Sequence, residues 1–141
     1  MPLNSAIAAS ASALDAQRAR IEVAVSNIAN AESTRGADGQ PYRRRDIVLA
    51  AAPQAAFADA LHTVEATGVQ VVDVVEDKAD FRRRYEPSHP DADADGFVAM
   101  PNVDVPEEMV DMLGAARAYQ ANLTAITLIR DTIQRALDLG R

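Results

Sequence analysis

Apolar residues recur at spacings of three and four along the last third of the chain, from Val105 to Leu139. They are Met109, Met112, Ala116, Tyr119, Leu123, Ile126, Ile133 and Leu137. This spacing predicts one α-helix with a single apolar stripe, as in a coiled coil. Asp104, with Glu107 three residues later and Pro106 between them, predicts where the helix begins, and Gly140 predicts its end. A helix roughly 50 Å long with one apolar stripe needs a partner of similar length.

The first segment of the chain can supply that partner. From Asn4 or Ser5 to about Ala29 it is rich in alanine and free of glycine and proline. Four apolar residues repeat every seven positions, Ile7, Leu14, Ile21 and Ile28, and Ala11 and Val25 fill the companion position. We predict a helix here that Asn30 ends in the left-handed conformation. The expected fold is therefore mainly α with a small β part, its long N- and C-terminal helices paired antiparallel as a coiled coil.

Two arginines interrupt these stripes. Arg18 and Arg130 each occupy a position where the spacing calls for an apolar residue. A buried unpaired charge would be costly there. Each side chain either runs out to solvent along its apolar stem, or meets polar groups on its helix or on a neighbouring copy. In the second case the two arginines would set the register of the pairing.

The middle of the chain has short strand patterns. Val69 to Val75 is mostly β-branched and is the best strand candidate. We predict that Phe81 to Tyr85 is its partner across a turn, and that Phe97 to Met100 forms a third strand. Gln54 to Thr67 stays open between a helix and a loop. The predicted division is residues 1–31 and 103–141 as paired terminal helices, with 32–102 as the middle segment.

Composition excludes several function classes. The formal net charge of −7 argues against nucleic-acid binding, which needs a basic face. The chain has no cysteine, and no stretch has the pattern of a cleavable signal peptide or a membrane span. The two histidines, His62 and His89, are far apart and match no metal-site spacing. We expect no catalytic site, no metal, no cofactor and no small-molecule substrate.

One acidic segment leaves an alternative open. Asp91, Asp93, Asp95 and Gly96 copy the first half of a calcium-binding loop. The twelfth position, where such a loop needs a bidentate glutamate, is Asn102. A solvated acidic turn is the favoured interpretation, and a calcium-binding module is the weaker one.

Charges are also grouped in blocks. Residues 91–116 contain seven acids and no base, whereas Arg43 to Arg45 and Lys78 to Arg84 are basic. A solvated surface explains any one of these charges. Their separation nevertheless suggests surfaces that pair head to tail between copies or with neighbours.

Several motifs resemble those of the axial proteins of the bacterial flagellum. The segment Asn27-Ile-Ala-Asn-Ala-Glu-Ser-Thr34 resembles their N-terminal motif, and Arg117-Ala-Tyr-Gln-Ala-Asn122 its C-terminal counterpart. Residues 89–103 and 107–112 are similar to the FlgC-type proximal rod proteins of the basal body, within the rod and hook axial family. The positions that carry the resemblance are Asn27, Asn30, Thr34, Asp91, Asp93, Asp95, Gly96, Pro101, Asn102, Tyr119 and Asn122.

The resemblance implies a structural, non-enzymatic subunit of the flagellar basal-body rod. Such proteins polymerise through their terminal helices into the periplasmic drive shaft, which transmits torque from motor to hook and forms part of the export channel. They leave the cell through the flagellar type III export apparatus without a cleaved signal peptide. The implied partners are further copies, other rod proteins and the adaptor that joins the rod to the membrane ring. Another rod subunit of the same family is the alternative.

Twelve apolar residues are the predicted assembly residues, drawn from both stripes. They are Ile7, Leu14, Ile21, Val25, Ile28, Met109, Met112, Tyr119, Leu123, Ile126, Ile133 and Leu137.

Overall fold

The computed structural model describes residues 2–36, 38–52 and 67–140. Within these described residues, two long helices enclose four short strands in the sequence. In chain order these are α1 (Pro2–Ala29), β1 (Arg45–Ala51), β2 (Val69–Glu76), β3 (Arg82–Tyr85), β4 (Phe97–Met100) and α2 (Val105–Leu139). The fold is thus mainly helical with a small β part, as predicted. Most of the open segment, residues 54–66, lies outside the described residues, as does His62.

The chain forms two compact units. One contains residues 1–19, 48–73 and 114–141, and the other contains residues 20–47 and 74–113. Each long helix contributes a segment to both units. The predicted division into paired terminal helices and a middle segment stays a prediction.

Helix α2 has the predicted bounds. The C=O of Asp104 accepts from the N–H of Glu108 at 3.0 Å, which makes Asp104 the residue that precedes the first turn. The Asp104 carboxylate accepts from the Arg82 guanidinium at 3.3 Å. At the other end, the N–H of Gly140 donates to the C=O of Leu137 at 3.3 Å.

Helix α1 differs from the prediction at both ends. It begins at Pro2 rather than at Asn4 or Ser5, since proline is tolerated in the first turn, where its missing N–H has no helical partner. It ends at Ala29, as expected, but the predicted left-handed Asn30 is wrong, because no non-glycine residue in the described ranges has a positive φ. The Asn30 side chain instead donates to the C=O of Ser26 at 2.8 Å. It thereby satisfies one of the carbonyls left free at a helix end.

The strands form two two-stranded sheets, β1 with β2 and β3 with β4. The predicted pairing of Phe81–Tyr85 with Val69–Val75 is therefore wrong. After β2 the chain stays beside the residues that lead into β1, because the N–H of Asp77 donates to the C=O of Arg44 at 2.8 Å. The Arg43 guanidinium also lies 4.3 Å from the centre of the Phe81 ring. These contacts, rather than a tight turn, fix the position of the segment between β2 and β3.

Strand β3 pairs antiparallel with β4, in a register that matches Tyr85 with Phe97 and Arg82 with Met100. The Tyr85 and Phe97 rings meet edge to face, with centroids 5.3 Å apart. Such an aromatic pair adds to the stability of a short ladder. Strand β2 has no aromatic residue, so the predicted pairing with β2 would have left Tyr85 without an aromatic partner.

Few large apolar side chains are buried. The buried apolar residues in the described ranges are Ala16, Ala24, Ala115, Val98 and Val103. Three of these five are alanines, so the apolar faces of both helices are covered only in part. None of the helices in the described part of the chain is long and apolar enough to cross a membrane.

Candidate functional site

A polar cluster lies where α1 ends and α2 begins, within the second unit. We define it as Asn27, Tyr42, Arg44, Asn102 and Glu108. The Asn27 and Glu108 residues are only 1% and 2% exposed. Polar groups that are so completely buried destabilise a fold unless they find hydrogen-bond partners. In this cluster they do.

Asn27 uses the full hydrogen-bonding capacity of its side-chain amide. Its Nδ2 donates to the C=O of Arg45 at 2.8 Å and to Oε2 of Glu108 at 2.9 Å. Its Oδ1 accepts from the N–H of Arg45 at 2.9 Å and from the Tyr42 hydroxyl at 3.0 Å. The amide therefore pairs with the backbone of Arg45 as a neighbouring strand would, and it fixes the end of α1 to the start of β1.

Glu108 joins the first turn of α2 to the same segment. Its Oε1 accepts from Nε of Arg44 at 2.5 Å. Burial alone would lower the pKa of Arg44, but the hydrogen bond and negative charge of Glu108, with further help from Asp46 and Glu107, raise it overall. Arg44 is thus a permanent cation that compensates a buried carboxylate.

Asn102 completes the cluster from the turn before α2. Its Oδ1 accepts from the backbone N–H of Arg44 at 2.9 Å. Two consecutive residues, Arg44 and Arg45, are therefore held by asparagines from opposite ends of the chain. The cluster ties both helix ends to one short backbone segment.

The structure describes all twelve predicted assembly residues. None of them is fully buried. Seven are half-buried: Ile7, Leu14, Ile21, Ile28, Met112, Ile126 and Ile133. Five are exposed: Val25, Met109, Tyr119, Leu123 and Leu137. Arg18 and Arg130 are also exposed, so the structure does not bury either charge. Their role in setting the register stays a prediction.

The structure adds exposed apolar residues that the spacing argument omits. Val110, Leu113 and Leu128 of α2 are 68%, 53% and 67% exposed. At about 100° per residue, Leu113 lies on the same side of α2 as Met109 and Leu123, whereas Val110 and Leu128 lie on a different side. We call these five, together with Tyr119, Leu137 and Leu139, the exposed apolar residues of α2. Searching α2 for a second apolar direction would have found Val110 and Leu128.

Comparison with known proteins assigns the chain to a family. Residues 7–37 match the family described as "Flagella basal body rod protein". Residues 94–139 match "Flagellar basal body rod FlgEFG protein C-terminal". A relative from Escherichia coli O6:H1, named flagellar basal-body rod protein FlgC, is 46% identical over 132 residues, which cover 92% of both chains. Relatives with the same name from Bacillus subtilis and Borreliella burgdorferi are 39% and 40% identical, with 94% and 97% of both chains covered. The chain belongs to the FlgC family of flagellar basal-body rod proteins.

The acidic segment of this FlgC family member is a hydrogen-bonded turn. Oδ1 of Asp93 accepts from the N–H of Asp95 at 3.0 Å and from the N–H of Phe97 at 2.8 Å. Gly96 has a φ of 82°, and a Cβ there would lie 3.0 Å from Cε2 of Tyr85. The carboxylate of Asp93 thus shapes the turn into β4, and Gly96 lets the aromatic pair approach. In the described ranges no group of acids or histidines could hold a metal ion, and nothing supports the calcium-binding alternative.

Asp91 has a separate structural role. Its Oδ2 accepts from the Thr34 hydroxyl at 2.9 Å, and its Oδ1 lies 3.4 Å from the Arg35 guanidinium. Its own N–H donates to Nδ1 of His89 at 3.1 Å. Two positions of the family resemblance, Thr34 and Asp91, are therefore direct partners across 57 residues of sequence.

We expect Asp93→Ala to lower the free energy of unfolding by about 1–2 kcal/mol, because two backbone N–H groups lose their acceptor. The loss should be the same in calcium and in chelator, since the carboxylate bonds to the backbone. Melting temperatures of the parent and the variant in both buffers would measure this. Asp95→Ala is the matched control, because its side chain is exposed, and it should change the melting temperature little. A rise in the parent's melting temperature with calcium would contradict this account.

Proposed function

We propose that this chain is a structural subunit of the flagellar basal-body rod, and that it polymerises into the shaft that transmits torque from motor to hook. The observation that carries the proposal is the exposed apolar surface on two sides of α2. Apolar surface of this kind marks a protein interface. A subunit inside a polymer needs contacts on more than one side, because head-to-tail interfaces use different surfaces of each copy.

The terminal helices would pair antiparallel as a coiled coil in the assembled rod. The bond between Asn27, near the end of α1, and Glu108, in the first turn of α2, supports this direction. The half-buried stripe of assembly residues would form the seam, and the exposed residues would contact neighbouring subunits. Arg18 and Arg130 would set the register where the seam is interrupted.

The polar cluster would keep this assembly surface in place under load. The two most buried groups of the cluster, Asn27 and Glu108, both have hydrogen-bond partners, and a buried network satisfied in this way specifies one arrangement of the groups it joins. It would hold both helix ends to the start of β1, so that force on the helices reaches the β part of the same unit. A catalytic role has no support, and we propose that the chain is not an enzyme.

The remaining partners follow from the family. We propose that the chain contacts other rod proteins and the adaptor that joins the rod to the membrane ring. It would reach the periplasm through the flagellar type III export apparatus without a cleaved signal peptide, and the assembled rod would form part of the export channel. No nucleic acid or small-molecule substrate is proposed.

Deleting the gene for this chain from its host tests the proposal. We expect non-swimming cells whose basal bodies stop before a complete rod, and we expect the gene supplied in trans to restore both. Electron microscopy of isolated basal bodies and swimming in soft agar would measure the two outcomes. Complete rods in the deletion strain would overturn the proposal.

A further inference from the structure

The β3–β4 sheet has one covered face and one open face. Val98 of β4 is 0% exposed, so its side chain faces the interior of its unit. Successive residues of a strand point to opposite faces, and the register pairs Arg83 with Ala99 and Tyr85 with Phe97. These four residues therefore share the face opposite Val98. We call them the open face of the sheet.

The open face has the composition of a protein interface. Tyr85 is 64% exposed and Phe97 is 37% exposed, and Arg83 and Ala99 are exposed as well. Aromatic residues and arginine are enriched at protein interfaces, where tyrosine and arginine often dominate the binding energy. The chain has only three tyrosines and three phenylalanines, so one of each on an open face is a large share of its aromatic surface. The open face is therefore suited to contact with another surface.

Arg83 differs from the arginines on either side of it. Arg82 pairs with Asp104 at 3.3 Å, and Arg84 pairs with Glu86. Among the residues that the structure describes, the Arg83 side chain has no ion pair and no hydrogen bond. The open face thus offers an unpaired cation beside two aromatic rings. A surface that fits it needs apolar side chains and an acid next to each other.

The first turns of α2 carry that combination. Glu107, Val110 and Leu113 follow one another at a spacing of three residues, which makes them one ridge of the helix. Val110 and Leu113 are 68% and 53% exposed, and Glu107 is exposed as well. The charge of Glu107 helps to raise the pKa of Arg44 from a distance, but its carboxylate makes no ion pair or hydrogen bond with any residue that the structure describes. The ridge therefore offers an available acid followed by open apolar side chains.

The two surfaces also match in spacing. Arg83 and Tyr85 are two strand residues apart, which is about 7 Å. Along the axis of α2, Val110 and Leu113 lie about 4.5 Å and about 9 Å beyond Glu107. With strand and helix aligned and Arg83 at Glu107, the Tyr85 ring would therefore lie between the two apolar side chains.

We propose that the open face of the β3–β4 sheet in one copy packs on this ridge of α2 in a second copy. Arg83 would pair with Glu107, and the aromatic rings would contact Val110 and Leu113. A second copy is the occupant that fits, because each surface supplies the charge that the other lacks. The two surfaces differ, so the contact is head to tail and can repeat along a polymer. The inference rests on the proposed function, because it assigns one contact between copies in the same rod.

Cysteine cross-linking tests this contact, because the chain has no cysteine of its own. Ala99→Cys and Val110→Cys are expressed beside the parent chain as two copies of different mass, and the cells are oxidised before basal bodies are isolated. A disulfide needs Cα atoms within about 7 Å, so we expect a mixed dimer about tenfold more abundant than in a control. The control pairs Ala99→Cys with Ala121→Cys. Ala121 is exposed on the same side of α2 as Val110, about 16 Å further along the helix.

A charge exchange measures the contribution of the ion pair in the same rods. Arg83→Glu on the Ala99→Cys copy should lower the yield of mixed dimer several-fold, because like charges then face each other. Glu107→Lys on the Val110→Cys copy should restore the yield. Each yield is divided by the amounts of the two copies in the basal bodies, and melting curves of the purified chains establish that the variants fold.

Two results would overturn the contact. One is a mixed dimer no more abundant than in the Ala121→Cys control, and the other is a charge exchange between folded variants that does not restore the yield. Either result in complete rods would reject this inference alone. Complete rods without the gene would instead reject the proposed function itself.

Discussion

Replacing Arg44 with methionine is expected to lower the free energy of unfolding by about 3 kcal/mol, although the position lies outside both helices. The substitution keeps an unbranched apolar stem and removes the guanidinium with its charge. It leaves the carboxylate of Glu108, whose side chain is only 3% exposed, without its cation. The cost comes mainly from this uncompensated charge and only in part from the lost bond.

Arg45→Met is the matched control for this prediction. The two arginines are adjacent, but the Arg45 side chain is 48% exposed and pairs with the exposed Glu76 at 3.5 Å. Its guanidinium also lies 5.6 Å from the centre of the Tyr42 ring. Exposed pairs contribute little, about 0–1 kcal/mol. The contacts of Arg45 with Asn27 use its backbone, which methionine retains. Chemical denaturation of both variants would compare the two losses, and equal losses would contradict the role assigned to the cluster.

A double variant separates the charge from the packing. Arg44→Met with Glu108→Gln should be more stable than Arg44→Met alone, because glutamine removes the buried charge and keeps an acceptor for Asn27. The pKa of Arg44 is raised, so its contribution is fully present at neutral pH. It is lost only as the pH rises through that raised pKa. The difference in free energy of unfolding between Arg44→Met and Arg45→Met should therefore be the same throughout the neutral and mildly alkaline pH range.

The helices could be predicted from the sequence because their signals are local. The bounds of α2 follow from Asp104, Pro106 and Gly140, which act on backbone groups within one turn. The conformation of Asn30 was harder to predict, because asparagine can end a helix in two ways. It can adopt the left-handed conformation or cap a carbonyl with its side chain, and here it does the second.

The strand pairing and the polar cluster could not be predicted, because their partners are distant in sequence. Asn27 bonds to Glu108 across 81 residues, and no local pattern marks either as a member of a network. In the acidic segment, the alternation of aspartate and alanine indicated a possible ion site. The structure instead uses Asp93 for the turn and Asp91 for Thr34. The same carboxylates satisfy backbone and hydroxyl donors, so their pattern alone did not distinguish the two roles.

The spacing argument for the helices was incomplete for a related reason. It assumed one apolar stripe per helix, but α2 carries apolar residues on several sides. One side of a helix can pack against its own chain while other sides contact neighbouring subunits. The sequence shows the apolar residues of all these sides in one pattern, so it does not separate them. The structure separates half-buried residues such as Ile126 from exposed ones such as Leu128.

Replacing Leu113 and Leu128 together with glutamine is expected to abolish rod assembly and swimming, while it leaves the folded chain nearly as stable as the parent. The two leucines are 53% and 67% exposed, so the isolated chain loses little by the change. In the rod, burying each leucine stabilises a contact by about 1.5 kcal/mol. Losing both weakens the contacts of each subunit by about 3 kcal/mol, or roughly 100-fold in affinity. Because every copy carries the change, the defect recurs at each contact of the polymer.

Thr124→Gln is the matched control on the same helix. Thr124 is exposed, and among the described residues its hydroxyl bonds only to the C=O of Gln120 within its own helix, at 2.9 Å. The same glutamine placed there should leave swimming intact. Melting curves of the purified chains would establish that all variants fold, and soft-agar swimming with electron microscopy of basal bodies would measure assembly. If the double variant swims as well as the control, the exposed apolar residues of α2 do not form the assembly surface, since two buried leucines per subunit cannot be lost from a packed interface without weakening it.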